Sequence, residues 1–113
     1  MSVRIDGMEF VKLARSAVSP EKPAIVRAGR HDVAVFELDG AYVAYENACP
    51  HQGGPIGEGF VENGTVTCPW HAWCFDLHTG IMTLGDFAAL RPFPVRVEGE
   101  TLLIATQPDQ PRV

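Results

Sequence analysis

The chain has 113 residues, 46% of them hydrophobic and 20% charged, the balance of a globular protein that buries one core. Its formal net charge of −5 argues against nonspecific binding to nucleic acid or to an anionic membrane, since both reward basic patches. No stretch approaches the roughly 18 consecutive apolar residues of a membrane helix, and Arg4, Asp6 and Glu9 interrupt the first ten residues where a leader would be apolar, so a cytoplasmic protein is expected.

Taken in chain order, the pattern reads as β nearly throughout. Glu9–Ala14 is expected as the first strand, followed by a loop over Ser16–Pro23 in which Pro20 and Pro23 forbid a long helix. Ala24–Ala28 and Val33–Leu38 pair around Gly29-Arg30. Asp39-Gly40 is a strong hairpin signal, because a type I′ turn needs positive φ at both central residues, and it leads into a strand over Ala41–Glu46. From Asn47 to Gly80 the character changes. Glycine and proline cluster, Asn63-Gly64 folds one short hairpin, and Thr79-Gly80 closes the stretch as a turn. A loop over Leu84–Pro92, a strand over Phe93–Glu98, a turn at Gly99 and a last strand over Thr101–Thr106 complete the pattern, and the polar tail from Gln107 is expected to fray. Short strands with regular turn signals predict an all-β chain, an antiparallel sandwich or barrel. The chain is read as a single domain, 1–113, with a Gly/Pro-rich insert at about 47–80 between base segments 1–46 and 81–106.

All three cysteines and three of the four histidines lie in that central insert. In a reducing compartment the cysteines read as ligands or free thiols. Cys49-Pro50-His51 and Cys68-Pro69-Trp70-His71 each offer one thiol and one imidazole, and the turn at Asn63-Gly64 would bring the two loops to one end. Mixed thiolate and imidazole donors suit iron–sulfur or zinc. Gly53, Gly54, Gly57 and Gly59 are expected to permit tight turns and to aim N–H groups at sulfur, while Pro50 and Pro69 stiffen the ligand pairs. Outside the motifs, His31 and His78 read as solvated turn residues and Cys74 as a small apolar filler. Trp70, Trp73 and Phe75 read as core and cover, and Gln52, Trp70, Pro55 and the Pro92 loop as a docking patch.

The string Cys-Pro-His, sixteen residues, then Cys-Pro-Trp-His, continued as AWCFDLHTG, resembles the Rieske [2Fe–2S] family. The resemblance implies a fold of three antiparallel sheets with one [2Fe–2S] cluster at one end. It also implies that Cys49 and Cys68 hold one iron while His51 and His71 hold the other. Family members of respiratory complexes carry an extra cysteine in each ligand loop and a serine and a tyrosine hydroxyl near the sulfurs. The matching positions here are Gly54, Trp70, Trp73 and Phe75, so both the disulfide and the hydroxyl donors are missing.

Fewer hydrogen bonds to sulfur leave the reduced state less stabilised, which places the expected potential toward the low end of the Rieske range of about −150 to +300 mV. The oxidised iron should also acidify the imidazoles and make the potential pH-dependent under alkaline conditions. The low-potential single-domain members that the chain resembles are ferredoxin components of bacterial ring-hydroxylating dioxygenases. In those systems a flavin-dependent reductase supplies electrons and a terminal oxygenase receives them. The implied role is a soluble electron carrier rather than an enzyme, with no nucleic acid or membrane partner. Two alternatives stand beside it: the small Rieske-like subunit of a nitrite reductase, and a structural zinc module, whose usual ligand spacings differ.

Overall fold

The computed structural model describes residues 2–20, 22–47, 55–68, 74–83 and 89–108. In chain order the strands are β1 (Ser2–Ile5), β2 (Met8–Ala14), β3 (Ala24–Ala28), β4 (His31–Leu38), β5 (Ala41–Glu46), β6 (Phe60–Glu62), β7 (Thr65–Thr67), β8 (Cys74–Asp76), β9 (Pro92–Phe93), β10 (Val95–Glu98) and β11 (Thr101–Ala105). Single 3₁₀ turns at Arg15–Ala17 and Ile56–Glu58 are the helical elements among the described residues. Among the described residues every strand pairing is antiparallel, within three sheets ordered β1-β2-β11-β10, β3-β4-β5-β9 and β6-β7-β8.

Two-residue turns set much of this register. Asp39-Gly40 and Asn63-Gly64 have positive φ at both positions, as the hairpin signals predict, and Asp6-Gly7 adds a third turn of the same kind. That turn creates β1 ahead of the expected first strand, and β2 pairs back onto it from Ile5↔Met8 to Ser2↔Val11.

The β3-β4-β5-β9 sheet is the middle layer. Along β4 the unbroken apolar run splits by alternation: Val33 and Val35 face the β1-β2-β11-β10 sheet, where they meet Leu102 and Ile104. Ala34 and Phe36 face the other way, against Val66 and Phe75 of the smallest sheet. A strand buried on both faces leaves no polar alternation in the sequence. Tyr45 fastens the layers together, its hydroxyl donating 2.8 Å to the carbonyl of Leu77. Leu77 itself is fully buried.

The expected strand Phe93–Glu98 is two strands. Pro92–Phe93 pairs with β5 in the middle sheet, whereas Val95–Glu98 pairs with β11 in the outer one. Pro94 lies at the crossing, where its missing N–H ends one ladder and its carbonyl accepts from Ala105 N at 3.0 Å. Of the expected loop over Leu84–Pro92, residues 84–88 lie outside the described residues, and the remainder is tied into the sheets. Ala89 bridges to Ile81, Leu90 is buried, and Pro92 is a strand residue opposite Tyr45.

Candidate metal centre

The smallest sheet delivers the second motif. Chain reversal at Asn63-Gly64 runs β7 outward to Thr67, and β8 returns from Cys74, which is paired with Thr67. Cys68 therefore stands at the point where the chain leaves the hairpin. It is 2% exposed and carries a free thiol, packed in one core cluster with Ile56, Val66 and Phe75.

Asn47 closes the base of the segment that carries the first motif. Its N–H donates to the Asp32 carbonyl, its carbonyl accepts from Ile56 N, and its Oδ1 accepts from Gly57 N, each at 2.8 Å. The chain thus leaves and re-enters the fold at one point, and Ile56 shares the core cluster of Cys68. Sequence reasoning passed over Asn47. An Asx residue opening a Gly/Pro-rich loop was the available signal.

A third root lies beside these two. Thr83 N donates 3.0 Å to the Cys74 carbonyl, and Leu90 N donates 2.8 Å to that of Gly80. Glu46 N donates 2.8 Å to the Arg91 carbonyl, which joins this root to the first. Both motif-bearing segments are consequently anchored at the same end of the molecule.

Of the four expected ligands, the structure places Cys68. Cys49, His51 and His71 lie outside the described residues, as do Pro50, Gln52, Gly53, Gly54, Pro69, Trp70 and Trp73 and the tail from Asp109. Among the described residues no group of three or more metal-binding side chains occurs. A buried free thiol at the point where the chain leaves the smallest sheet, with three further thiol and imidazole donors in the two segments rooted there, fits an iron–sulfur cluster.

The glycines require a correction. Gly57 and Gly59 lack positive φ, and their N–H groups are taken by Asn47 Oδ1 and by the Ile56 carbonyl at 3.0 Å, so neither is aimed at sulfur. Space is what demands them. A Cβ on Gly59 would overlap the Thr67 carbonyl, and one on Gly57 would lie 2.6 Å from Ile25 Cγ1. The two roots are thereby packed against each other and against the middle sheet.

His31 also departs from expectation. It begins a strand, β4, as expected, but it is not solvated: its side chain is 18% exposed, and its ring meets Phe93 edge-on at 5.2 Å. Its Nδ1 lies 3.7 Å from the Glu46 carboxylate, which also faces Arg91 at 3.8 Å. Cross-strand neighbours decided this, and they are not local in sequence. His78 is exposed as expected, beside Asp76. Cys74 is half-buried opposite Phe75 in alternation, with its Sγ 3.3 Å from Thr67 Oγ1. Phe75 is fully buried and presents no hydroxyl to the site.

Three antiparallel sheets, with two thiol–imidazole segments rooted at one end, define a small β-sheet iron–sulfur protein. The Rieske [2Fe–2S] domain model matches residues 9–94, so the chain belongs to that family and its cofactor is a Rieske-type [2Fe–2S] cluster. The ferredoxin component of the alkene monooxygenase system of Xanthobacter autotrophicus is 36% identical over 81 residues, which cover 71% of this chain and 66% of that protein. Apoptosis-inducing factor 3 of Mus musculus is 37% identical over 82 residues, 70% of this chain but 13% of that protein. The match therefore spans less than two thirds of these relatives. A chain from the solved complex of reduced oxygenase and oxidised ferredoxin in carbazole 1,9a-dioxygenase superposes with a TM-score of 0.80 at 25% identity, covering 89% of this chain and 96% of that one.

Proposed function

We propose that this protein is a one-electron carrier that takes electrons from a flavin-dependent reductase and delivers them to a terminal oxygenase, and is not itself an enzyme. In this reading Cys49 and Cys68 hold one iron, and His51 and His71 hold the other. The observation that carries it is the buried free thiol of Cys68 beside the Asn47 clamp, which roots both motif-bearing segments at one end of the fold. The likeness to an alkene monooxygenase ferredoxin, and to a chain of an oxygenase–ferredoxin complex, supports the choice of partners. When bound, the cluster supplies a site that accepts and returns one electron without bond making. The protein's own residues would hold it through those four side chains, of which Cys68 is packed in one core cluster with Ile56, Phe75 and Leu77.

The proposal treats residues 1–113 as a single domain, with residues 47–80 as the cluster-binding part. Support comes from the smallest sheet, whose strands fall between Phe60 and Asp76. A cytoplasmic location is part of the same reading. Among the described residues no helix is long and apolar enough to cross a membrane.

The test is EPR of the dithionite-reduced protein combined with a redox titration and metal analysis. A [2Fe–2S] signal with a potential below zero is expected, and Cys68→Ser or His71→Ala should abolish or alter it. A colourless protein containing zinc would refute the proposal in favour of a zinc module. Tight co-purification with a large haem protein would move it to the nitrite reductase subunit.

A further inference from the structure

Phe60 is 76% exposed, the most exposed of the large hydrophobic side chains among the described residues. It opens β6, the edge strand of the smallest sheet, and its cross-strand partner is Thr67, the residue before Cys68. Alternation turns Val61 inward against the core cluster and leaves Phe60 and Glu62 facing outward. Glu58, also exposed, precedes it at the end of the Ile56–Glu58 turn. Ile25, 43% exposed, lies against Gly57, the residue before Glu58. Neither Glu58 nor Glu62 forms an ion pair among the described residues. Beyond Glu62, a groove is walled by Glu37, Asp39 and His78, with no lysine or arginine in its lining.

An aromatic side chain projecting between carboxylates has the form of an interface anchor with an acidic rim. Glutamates alone would suffice to keep an edge strand from pairing, so edge protection does not account for the phenylalanine. We propose that Phe60, flanked by Glu58 and Glu62, is a docking anchor for the electron acceptor, whose complementary face is an apolar recess ringed by lysine and arginine. This rests on the carrier function proposed above. The choice of acceptor over donor follows from charge. Reduction adds one negative charge to a cluster rooted next to this patch, so a basic partner binds the reduced carrier more tightly than the oxidised one. An acceptor needs that order, capturing the reduced carrier and releasing it after one electron has passed. A donor needs the reverse.

The test uses the cluster-loaded protein, reduced and then mixed in stopped flow with cytochrome c, a basic acceptor with an apolar haem edge, or with the neutral acceptor benzoquinone. The variants are Phe60→Ala, Phe60→Leu and Glu58→Gln/Glu62→Gln. At low ionic strength the double glutamine variant should transfer electrons to cytochrome c about fivefold or more slowly, with a shallower salt dependence. Phe60→Ala should be slower by a similar factor of about five at any salt concentration, and Phe60→Leu should recover most of the rate. EPR spectra and benzoquinone rates should match the unmodified protein in all three.

Unchanged cytochrome c rates would overturn the proposal, as would equal slowing with benzoquinone. Slower electron uptake from ferredoxin–NADP reductase, with normal delivery to cytochrome c, would assign the patch to the donor and overturn it too. Absence of an iron–sulfur signal in the unmodified protein would refute the carrier function instead, before any variant is compared.

Discussion

Asn47→Ala removes the one side-chain acceptor that closes the base of the first motif-bearing segment. The Gly57 N–H now donates 2.8 Å to Asn47 Oδ1 from a half-buried position against Ile25, and alanine leaves that donor without its partner. The backbone bonds of Asn47 to Asp32 and Ile56 survive, so the segment is loosened and not released. Losing one such bond costs about 1–2 kcal/mol. If cluster loss proceeds through opening of this base, that energy corresponds to a rate increase of roughly 5- to 30-fold. The assay is the first-order decay of visible absorbance in the presence of an iron chelator, below the unfolding temperature. Asn47→Asp keeps an acceptor for Gly57 and should decay at nearly the unmodified rate. Its added negative charge should lower the reduction potential. Decay within twofold of the unmodified protein for Asn47→Ala, or equal losses for alanine and aspartate, would refute the clamp.

Other outcomes follow from the same packing. Tyr45→Phe deletes the bond to the buried Leu77 carbonyl and should lower the unfolding free energy by about 1–2 kcal/mol, read as a lower denaturant midpoint with an unchanged EPR spectrum. Gly59→Ala places a methyl group on the Thr67 carbonyl and should sharply reduce cluster incorporation, measured as iron per chain after expression. Phe75→Tyr adds a hydroxyl at the position that the family resemblance matches to a sulfur-bonding tyrosine. The potential should rise by titration, and a fall or no change would count against the low-donor account of this site. Leu102→Ala, in the core between the outer and middle sheets, should cost about 2–5 kcal/mol while leaving the potential where it was.

Several features of this protein follow from the amino-acid sequence by itself. The turns at Asp39-Gly40 and Asn63-Gly64 were legible because positive φ is a property of the two residues concerned, and Asp6-Gly7 offered the same signal. The Cys-x-His and Cys-x-x-His pairs were legible because donor chemistry and spacing belong to the chain alone. Tertiary structure decided what depends on distant neighbours. It divided Phe93–Glu98 between two sheets at Pro94, drew His31 against Phe93, and turned Gly57 and Gly59 from expected sulfur donors into spacers. It also made Asn47 the clamp of the first segment. A side chain's burial and its hydrogen-bond partner are set by whichever segment folds against it, and that segment can lie dozens of residues away, as Leu77 does from Tyr45.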